Sequence, residues 1–168
     1  MKKVTKPIPD GYHTVTATMT CDGAVKAIDF YKKAFGAEER IRVPGPDGRI
    51  MHAEIQIGDS IVMLNDPMPG CKTPLELGES PVRFYLYVKD CDAAVARATA
   101  AGATVEHPVS DMFWGDRVGS VRDPFGYAWS FATHVADPTP EEIAEGQQAF
   151  LAQMQGQGSA DGKACGSI

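Results

Sequence analysis

The stretch Asp22–Glu38, with the sequence DGAVKAIDFYKKAFGAE, decides the fold because its pattern returns later in the chain. Apolar side chains recur along it at spacings of three or four residues, at Val25, Ile28, Tyr31 and Phe35. This spacing predicts an amphipathic helix, with Asp22 as its cap and Gly36 as its end. About 66 residues further on, Asp90–Glu106 repeats the pattern and stops at Gly102. The repeat predicts two similar modules in tandem.

Strand-like runs flank each predicted helix. An alternating run precedes it, at Thr14–Thr20 in the first copy and at Arg83–Val88 in the second, and further runs joined by tight turns follow it. The predicted fold is therefore α+β, with two tandem βαβββ modules. We expect their mixed sheets to curl around a concave pocket whose wall carries the function.

Proline, glycine and polar clusters set the predicted boundaries. The segment between the modules carries several prolines, and Thr139 followed by Pro140 and two glutamates is typical of a helix start. After Gly156 the chain has almost nothing to bury, which predicts disorder. The resulting division is a lead-in at 1–11, a first module at 12–66, a linker at 67–81, a second module at 82–136, a C-terminal helix at 137–155 and a disordered tail at 156–168.

Composition excludes several classes of function. The 168 residues are 43% hydrophobic and carry 16 basic against 22 acidic side chains, a formal charge of −6 without a basic cluster. We therefore expect no nucleic-acid partner. No stretch approaches the roughly 20 apolar residues that span a bilayer, and the N-terminus lacks a signal-peptide pattern. The four cysteines are scattered, which predicts reduced thiols, and the expected location is the cytoplasm.

Three stretches in this order resemble one known family. They are Ala27–Ala37, Ile57–Leu64 (IGDSIVML) and Asp123–Trp129 (DPFGYAW). The chain is similar to the vicinal oxygen chelate superfamily, also called the glyoxalase/bleomycin-resistance family, over about residues 12 to 136. It looks closest to small stand-alone bacterial members labelled demethylubiquinone methyltransferase-like. However, the glycine-rich loop that a methyltransferase using S-adenosylmethionine would need is not visible.

The resemblance implies where a metal would bind. Metal-using members place one ligand on the first and one on the last strand of each module, and a gapless comparison puts Thr16, Met63, Arg83 and Ser130 at those positions. None is a good ligand for a divalent metal, so we expect no cofactor. Met63, Arg83 and Ser130 are then expected to line a ligand pocket. The alternative is a displaced divalent metal, Zn, Fe, Ni or Mn, held by His13, His52, Glu54 and His134.

A histidine and a carboxylate share one face of a predicted strand. In the alternating run Arg49–Ile57, His52 and Glu54 lie on the polar face, opposite an apolar face expected to lie under the helix. A histidine beside a carboxylate suits acid/base catalysis, which makes this pair the candidate catalytic residues. The same pattern also fits a solvated row of polar side chains.

The first strand of the second module offers an anion site. Arg83, Tyr85 and Tyr87 alternate on one face, whereas Phe84 and Leu86 point to the helix. The planar guanidinium of arginine can bind two oxygens of a carboxylate or phosphate, and the tyrosines can stack on a planar ligand. Alternatively, Arg83 is an exposed residue at the start of the strand, and the tyrosines line a dimer seam.

Two large aromatic residues lie in a predicted loop at 109–116. Phe113 and Trp114 are expected to stack on the ligand at the lip of the pocket, with Arg117 fixing the charge of the ligand. A loop plug or a dimer contact would explain them equally well. Trp129 and Phe131, which alternate with Ser130, are expected in the core.

These observations favour a homodimer that binds or sequesters a small ligand, anionic or aromatic, without the usual metal. The competing class is an enzyme, either a metal-dependent lyase, isomerase or dioxygenase, or a metal-free acid/base catalyst that uses His52 and Glu54. A third hypothesis is an interaction module that docks through its C-terminal helix.

Overall fold

Two four-stranded mixed sheets and four helices make up the part of the chain described by the computed structural model, residues 6–157, which confirms the predicted fold class. The elements are β1 (Ala17–Thr20), α1 (Ala24–Phe35), β2 (Glu38–Pro44), β3 (Ile50–Ile57), β4 (Ser60–Asn65), α2 (Pro74–Leu77), β5 (Arg83–Tyr87), α3 (Cys91–Ala100), β6 (Thr104–Asp111), β7 (Asp116–Arg122), β8 (Ala128–His134) and α4 (Pro140–Gln157).

The two sheets have the same topology. Their strand orders are β1-β4-β3-β2 and β5-β8-β7-β6, and in each sheet the first strand runs parallel to the last while the other pairs are antiparallel. Met63 of β4 lies between Thr18 and Glu54, and Ser130 of β8 lies between Tyr85 and Ser120. The repeat seen in the sequence thus corresponds to two sheets with equivalent strand order and equivalent pairing of residues across the strands.

The start of α1 differs from the prediction. The cap is Gly23, and the side chain that accepts the first amide protons is that of Asp66, at the end of β4. Its Oδ1 accepts from the amides of Gly23 and Ala24 at 2.9 and 3.0 Å, and its Oδ2 accepts from Ile50 at 2.7 Å. Asp22 was therefore the wrong cap, because a residue distant in sequence satisfies these donors.

Strand β6 is longer than predicted. It continues past Pro108 to Asp111, so the predicted loop at 109–116 shortens to a turn between Asp111 and Asp116. Pro108 has no amide proton to donate, but β6 is an edge strand and its pairing with β7 is irregular on both sides of His107. An edge strand with such irregularities tolerates proline.

Helix starts outside the modules follow their sequence signals. Thr139 and Glu142 cap each other at the start of α4, as predicted, with the Thr139 amide 2.8 Å from Glu142 Oε2. The linker contains the short helix α2, capped in the same way by Thr73 and Glu76.

Of the predicted tail, residues 158–168 lie outside the described residues, as do residues 1–5 of the lead-in. None of the helices in the described part is long and apolar enough to cross a membrane.

A single hydrophobic core joins the modules. Helices α1 and α3 pack against each other, and the rings of Tyr31 and Phe35 on α1 lie 5.5 and 4.7 Å from Trp129 on β8. Trp129 and Phe131 are almost fully buried, as predicted. Each sheet therefore buries the face that meets the helices. We call the opposite face of each sheet, turned away from this core, its open face.

Candidate functional site

Alternation along the strands decides which side chains reach the open faces. On the first sheet these are Thr18, Met63, His52 and Glu54. On the neighbouring strand β2, Val43 lies opposite His52 and Ile41 lies opposite Glu54. On the second sheet they are Arg83, Tyr85, Tyr87, Ser120, Ser130 and His134. Of the sequence-predicted residues, His52 and Glu54 thus share one face with Met63, whereas Arg83, both tyrosines and Ser130 share the other.

The His52–Glu54 pair is formed in the structure. His52 Nε2 lies 3.1 Å from Glu54 Oε1, and Glu54 is only 5% exposed. The other oxygen, Glu54 Oε2, is buried without a hydrogen-bond partner within residues 6–157. Burial raises the pKa of Glu54, but the Tyr12 hydroxyl beside the carboxylate and His52 lower it by more, so the pKa lies below its ordinary value. At neutral pH this carboxylate is charged.

The lead-in segment crosses the open face of the first sheet. A Cβ atom on Gly11 would lie 3.4 Å from Arg40 Nη1 and 3.6 Å from Ile61 Cδ1, and the Arg40 guanidinium lies 6.0 Å from the centre of the Tyr12 ring. The segment therefore covers one side of Glu54, which explains how a carboxylate on an outward-facing strand is buried.

Two arginines share one carboxylate on the second open face. Arg83 Nη2 lies 3.2 Å from Glu106 Oε2, and Arg122 Nη2 lies 2.5 Å from Glu106 Oε1. The three side chains carry a net charge of +1. Arg83 Nη1 is buried and has no hydrogen-bond partner among the described residues. The cluster therefore presents a positively charged donor that the described part of the chain leaves unsatisfied.

The floor of the second open face is small and polar. Ser120 and Ser130 hydroxyls lie 2.9 Å apart, and both residues are buried between larger neighbours. Tyr85 is the neighbour of Ser130 across the β5–β8 pair. The side chains between Tyr85 and the arginine cluster are therefore small hydroxyl groups that already bond to each other.

A carboxylate organises the tyrosine end of the same face. Asp116 Oδ2 accepts hydrogen bonds from Tyr85 at 3.2 Å and Tyr87 at 3.0 Å, and Oδ1 lies 2.8 Å from His134 Nδ1. Burial raises the pKa of Asp116, but these three partners lower it by more, so it lies below its ordinary value. Burial and the Asp116 charge raise the pKa of Tyr85 to about 12. Asp116 and Asp137 raise the pKa of His134.

The two aromatic residues of the turn between β6 and β7, Phe113 and Trp114, have different neighbours. Phe113 packs edge-on against Trp114, with ring centres 4.9 Å apart, and against Phe150 of α4 at 5.8 Å. Gly146 lies directly under Phe113. Trp114 lies beside the Tyr85 hydroxyl. Trp114 therefore borders the open face, whereas Phe113 anchors the C-terminal helix.

Arg117 lies on the opposite face of the sheet. Its guanidinium contacts Asp92 of α3 at 2.6 Å and Asp111 of β6 at 2.9 Å. The predicted role in fixing the charge of a ligand rested on a loop at 109–116. Because residue 117 instead follows Asp116 directly in β7, alternation turns it toward α3, away from the open face.

The described residues do not fit a metal centre. Between residues 6 and 157 no group of three or more histidine, cysteine, aspartate or glutamate side chains is placed to hold a metal ion. His52 and Glu54 lie on the first sheet and His134 on the second, while His13 is an exposed residue that precedes β1. Arginine and methionine, at two of the positions implied by the resemblance, are also poor donors for a divalent cation.

Sequence reasoning missed four polar residues of the site. These are Tyr12, Glu106, Asp116 and Arg122. Glu106 and Arg122 pair across strands β6 and β7, and the irregular register of that pair hid their shared face. The position of Asp116 could have been predicted, because it is separated from Ser120 and Arg122 by an even number of positions along one strand and therefore lies on the same face.

Comparison with known proteins supports the family. Residues 13–131 match the family model described as the Glyoxalase/Bleomycin resistance protein/Dioxygenase superfamily. The chain belongs to this superfamily. The match covers both βαβββ modules up to Phe131 of β8, and so includes both open faces except for His134.

Relatives within the superfamily include proteins from bacteria and a plant. An uncharacterised protein of Mycobacterium tuberculosis is 48% identical over 143 residues, which are 82% of this chain and 82% of that protein. The crystal structure of TioX from Micromonospora sp. ML1 is 30% identical, with a TM-score of 0.60 over 73% of this chain and 99% of TioX. A gene product of Arabidopsis thaliana is 31% identical, with a TM-score of 0.61 over 72% of this chain and 98% of the plant protein.

Proposed function

We propose that this superfamily member is a homodimer that binds or sequesters a small anionic, aromatic molecule on its open faces, without the usual metal. The observation that carries the proposal is Arg83 Nη1, a buried guanidinium donor without a partner in the described part of the chain. Leaving a buried charged donor unsatisfied costs free energy, which a bound acceptor would recover.

The charges around Arg83 favour an anion. Glu106 holds Arg83 and Arg122 in place but neutralises only one of their two charges. A planar guanidinium held by one carboxylate keeps its remaining N–H groups fixed in direction, which suits a second carboxylate or a phosphate.

The neighbouring tyrosines favour an aromatic body for the ligand. Tyr85 and Tyr87 are 42% and 68% exposed although their hydroxyls are bonded to Asp116, and their ring centres lie 5.4 Å apart. Because the hydroxyls are already bonded, what these residues offer to a ligand is mainly ring surface.

Exposed apolar side chains on both open faces support a dimer. Ile41 and Val43 on the first sheet are exposed, as are the two tyrosines on the second. A second copy that covers these faces would bury them and enclose the ligand.

The free thiols of Cys21, Cys71 and Cys91 agree with a reducing compartment, and we propose the cytoplasm.

The proposal is tested with 1-naphthoate as the probe and calorimetric titration as the measurement. We expect the wild-type protein to bind it, Arg83→Gln to weaken binding about tenfold or more, and Arg83→Lys to fall between them. Arg117→Gln is the matched control, since it removes the same charge from the other face. Equal binding by wild type and Arg83→Gln would refute the proposal, as would equal affinity for the neutral 1-naphthalenemethanol.

A metal-free acid/base enzyme is the second candidate, and the His52–Glu54 contact favours it. If the Nε2 proton faces Glu54, the Nδ1 lone pair can accept a proton from a carbon next to a carbonyl, leaving an enolate. Phenylpyruvate in deuterium oxide tests this by loss of the methylene proton signal. His52→Ala would abolish any exchange due to the protein while leaving binding intact, and exchange equal to the protein-free rate would remove this candidate.

A further inference from the structure

Helix α4 contains a glycine in its interior, Gly146. Glycine is the least favourable residue at such a position apart from proline, because it loses the most conformational freedom. A Cβ atom on Gly146 would lie 2.5 Å from Cβ of Phe113, closer than two carbon atoms can approach without a bond. The missing side chain therefore lets the backbone of α4 rest directly on Phe113, in the turn between β6 and β7.

Helix α4 meets the rest of the chain along one narrow stripe. Of residues 141–155, only Ile143, Gly146 and Phe150 are partly buried, and the others are exposed. The Phe150 ring centre lies 5.8 Å from that of Phe113. Beside this contact a cavity of about 420 Å³ remains between the helix and the turn. A contact this limited can open without unfolding the core.

The same turn reaches the second open face through its next residue. Trp114 packs edge-on against Phe113, with ring centres 4.9 Å apart, and lies beside the Tyr85 hydroxyl. The turn is tight, since the Gly115 amide donates to the Met112 carbonyl at 3.0 Å. Phe113 and Trp114 are its two central residues. A shift of the Phe113 ring therefore also changes the position of the indole.

The turn ends at the carboxylate that organises the tyrosines. Asp116 accepts hydrogen bonds from the Tyr85 and Tyr87 hydroxyls, and its carbonyl accepts from the Met112 amide at 2.8 Å. The turn thus connects α4 on one side to the tyrosine end of the second open face on the other. The family match ends at residue 131, so α4 lies outside the part of the chain that the superfamily shares.

We infer that α4 regulates the proposed ligand site. By packing on Phe113, the helix holds Trp114 at the edge of the second open face, where the indole is a wall for the aromatic body of the ligand. This inference rests on the proposed function, which requires the arginine cluster and the tyrosines but not α4. Phe113, Gly146 and Phe150 are positioning residues, since they act through Trp114.

Gly146→Ala separates the docking of α4 from the formation of the helix. Alanine favours the helix more than glycine does, but its Cβ atom has no room against Phe113. We expect the variant to bind 1-naphthoate about fivefold more weakly in calorimetric titration, the loss of about one aromatic contact. Gln148→Ala, an exposed change on the same helix, is the matched control and should bind as wild type does.

Tryptophan fluorescence gives a readout that needs no ligand. The chain has two tryptophans and Trp129 is buried, so quenching by acrylamide reports on Trp114. Gly146→Ala should increase the quenching, whereas Gln148→Ala should not. The urea midpoint should be the same in wild type and both variants, because none of the buried core residues belongs to α4.

A double variant tests the route through Trp114. Trp114→Ala alone should weaken binding of 1-naphthoate about as much as Gly146→Ala does, because both remove the same wall. In the Trp114→Ala background, Gly146→Ala should then have no further effect on binding. A helix that merely stabilised the fold would instead give additive losses.

Each negative result has a separate meaning. If Gly146→Ala binds 1-naphthoate as wild type does, or leaves the quenching unchanged, control by α4 is refuted while the proposed function stands. Additive losses in the double variant would refute the route through Trp114. If wild type does not bind 1-naphthoate, the proposed function itself fails, and the quenching alone decides whether α4 holds Trp114.

Discussion

Tyr31 and Asp123 join the two modules through a buried hydrogen bond of 2.7 Å between the tyrosine hydroxyl and Oδ2 of the carboxylate. Tyr31 belongs to α1 of the first module, and Asp123 lies in the turn between β7 and β8 of the second. The same carboxylate also accepts from the Trp129 indole and from two backbone amides. Burial raises the pKa of Asp123, and these hydrogen bonds oppose the rise.

Removing the Asp123 carboxylate should be strongly destabilising. Asp123→Ala leaves four buried donors without an acceptor, so we expect the free energy of unfolding to fall by about 4 kcal/mol, against about 1 kcal/mol for Tyr31→Phe. Urea denaturation followed by circular dichroism measures both. Asp29→Ala, an exposed change on α1, is the control and should stay within about 0.5 kcal/mol. A loss for Asp123→Ala as small as that of the control would contradict the assigned network.

The distant cap of α1 gives a second test of stability. We expect Asp66→Ala to lower the free energy of unfolding by about 3 kcal/mol, because it strands the amides of Gly23, Ala24 and Ile50. Asp22→Ala should change it by less than about 0.5 kcal/mol, since that side chain is exposed. The two variants compared by urea denaturation decide which aspartate caps the helix, and the reverse ranking would restore the prediction made from sequence.

The pairing of His134 with Asp116 predicts a pH dependence. Because its pKa is raised in the folded protein, His134 contributes stability that is fully present below its unfolded pKa and is lost as the pH rises through the folded pKa. NMR titration of the ring should give a midpoint above 6.5, the ordinary value. Asp116→Asn should lower this midpoint more than Asp137→Asn does, because Asp116 is the stronger influence. An unchanged midpoint in both variants would contradict the pairing.

Two glycines with positive φ should respond very differently to alanine. At Gly115, with φ of 95°, a Cβ atom would lie 2.1 Å from the carbonyl oxygen of Ala136, whereas at Gly36, with φ of 69°, it would meet nothing within 4 Å. Gly36→Ala should therefore cost only the conformational term, about 1 kcal/mol, and Gly115→Ala about 3 kcal/mol or more. Thermal unfolding of both variants measures the difference. Similar losses would show that the segment between β8 and α4 yields easily around residue 136.

Local patterns predicted the elements that depend on local physics. The helix stop at Gly36, the strand at Ser60–Asn65 and the capping of α4 by Thr139 agree with the structure because neighbouring residues determine them. The core positions of Trp129 and Phe131 follow from strand alternation in the same way.

Features that depend on distant residues could not be predicted. Asp66 lies 42 residues from Ala24, the first residue of the helix that it caps. The continuation of β6 to Asp111 could not be predicted, because Pro108 suggested that the strand ends there. The pairing of Arg83 and Arg122 through Glu106 depends on an irregular strand register that leaves no mark in the sequence. The His52–Glu54 contact was predictable because both residues belong to one strand.

The parallel pairing of the first and last strands has a consequence for protein synthesis. Strand β1 finds its hydrogen-bonding neighbour only in β4, where Ala17 lies opposite Val62. On the ribosome, β1 must therefore wait, unpaired, until the whole of the first module has left the exit tunnel. The second module imposes the same delay between Arg83 and Ala128. Each sheet is thus completed only when its final strand emerges, and the core shared by the two modules only when the second sheet is complete.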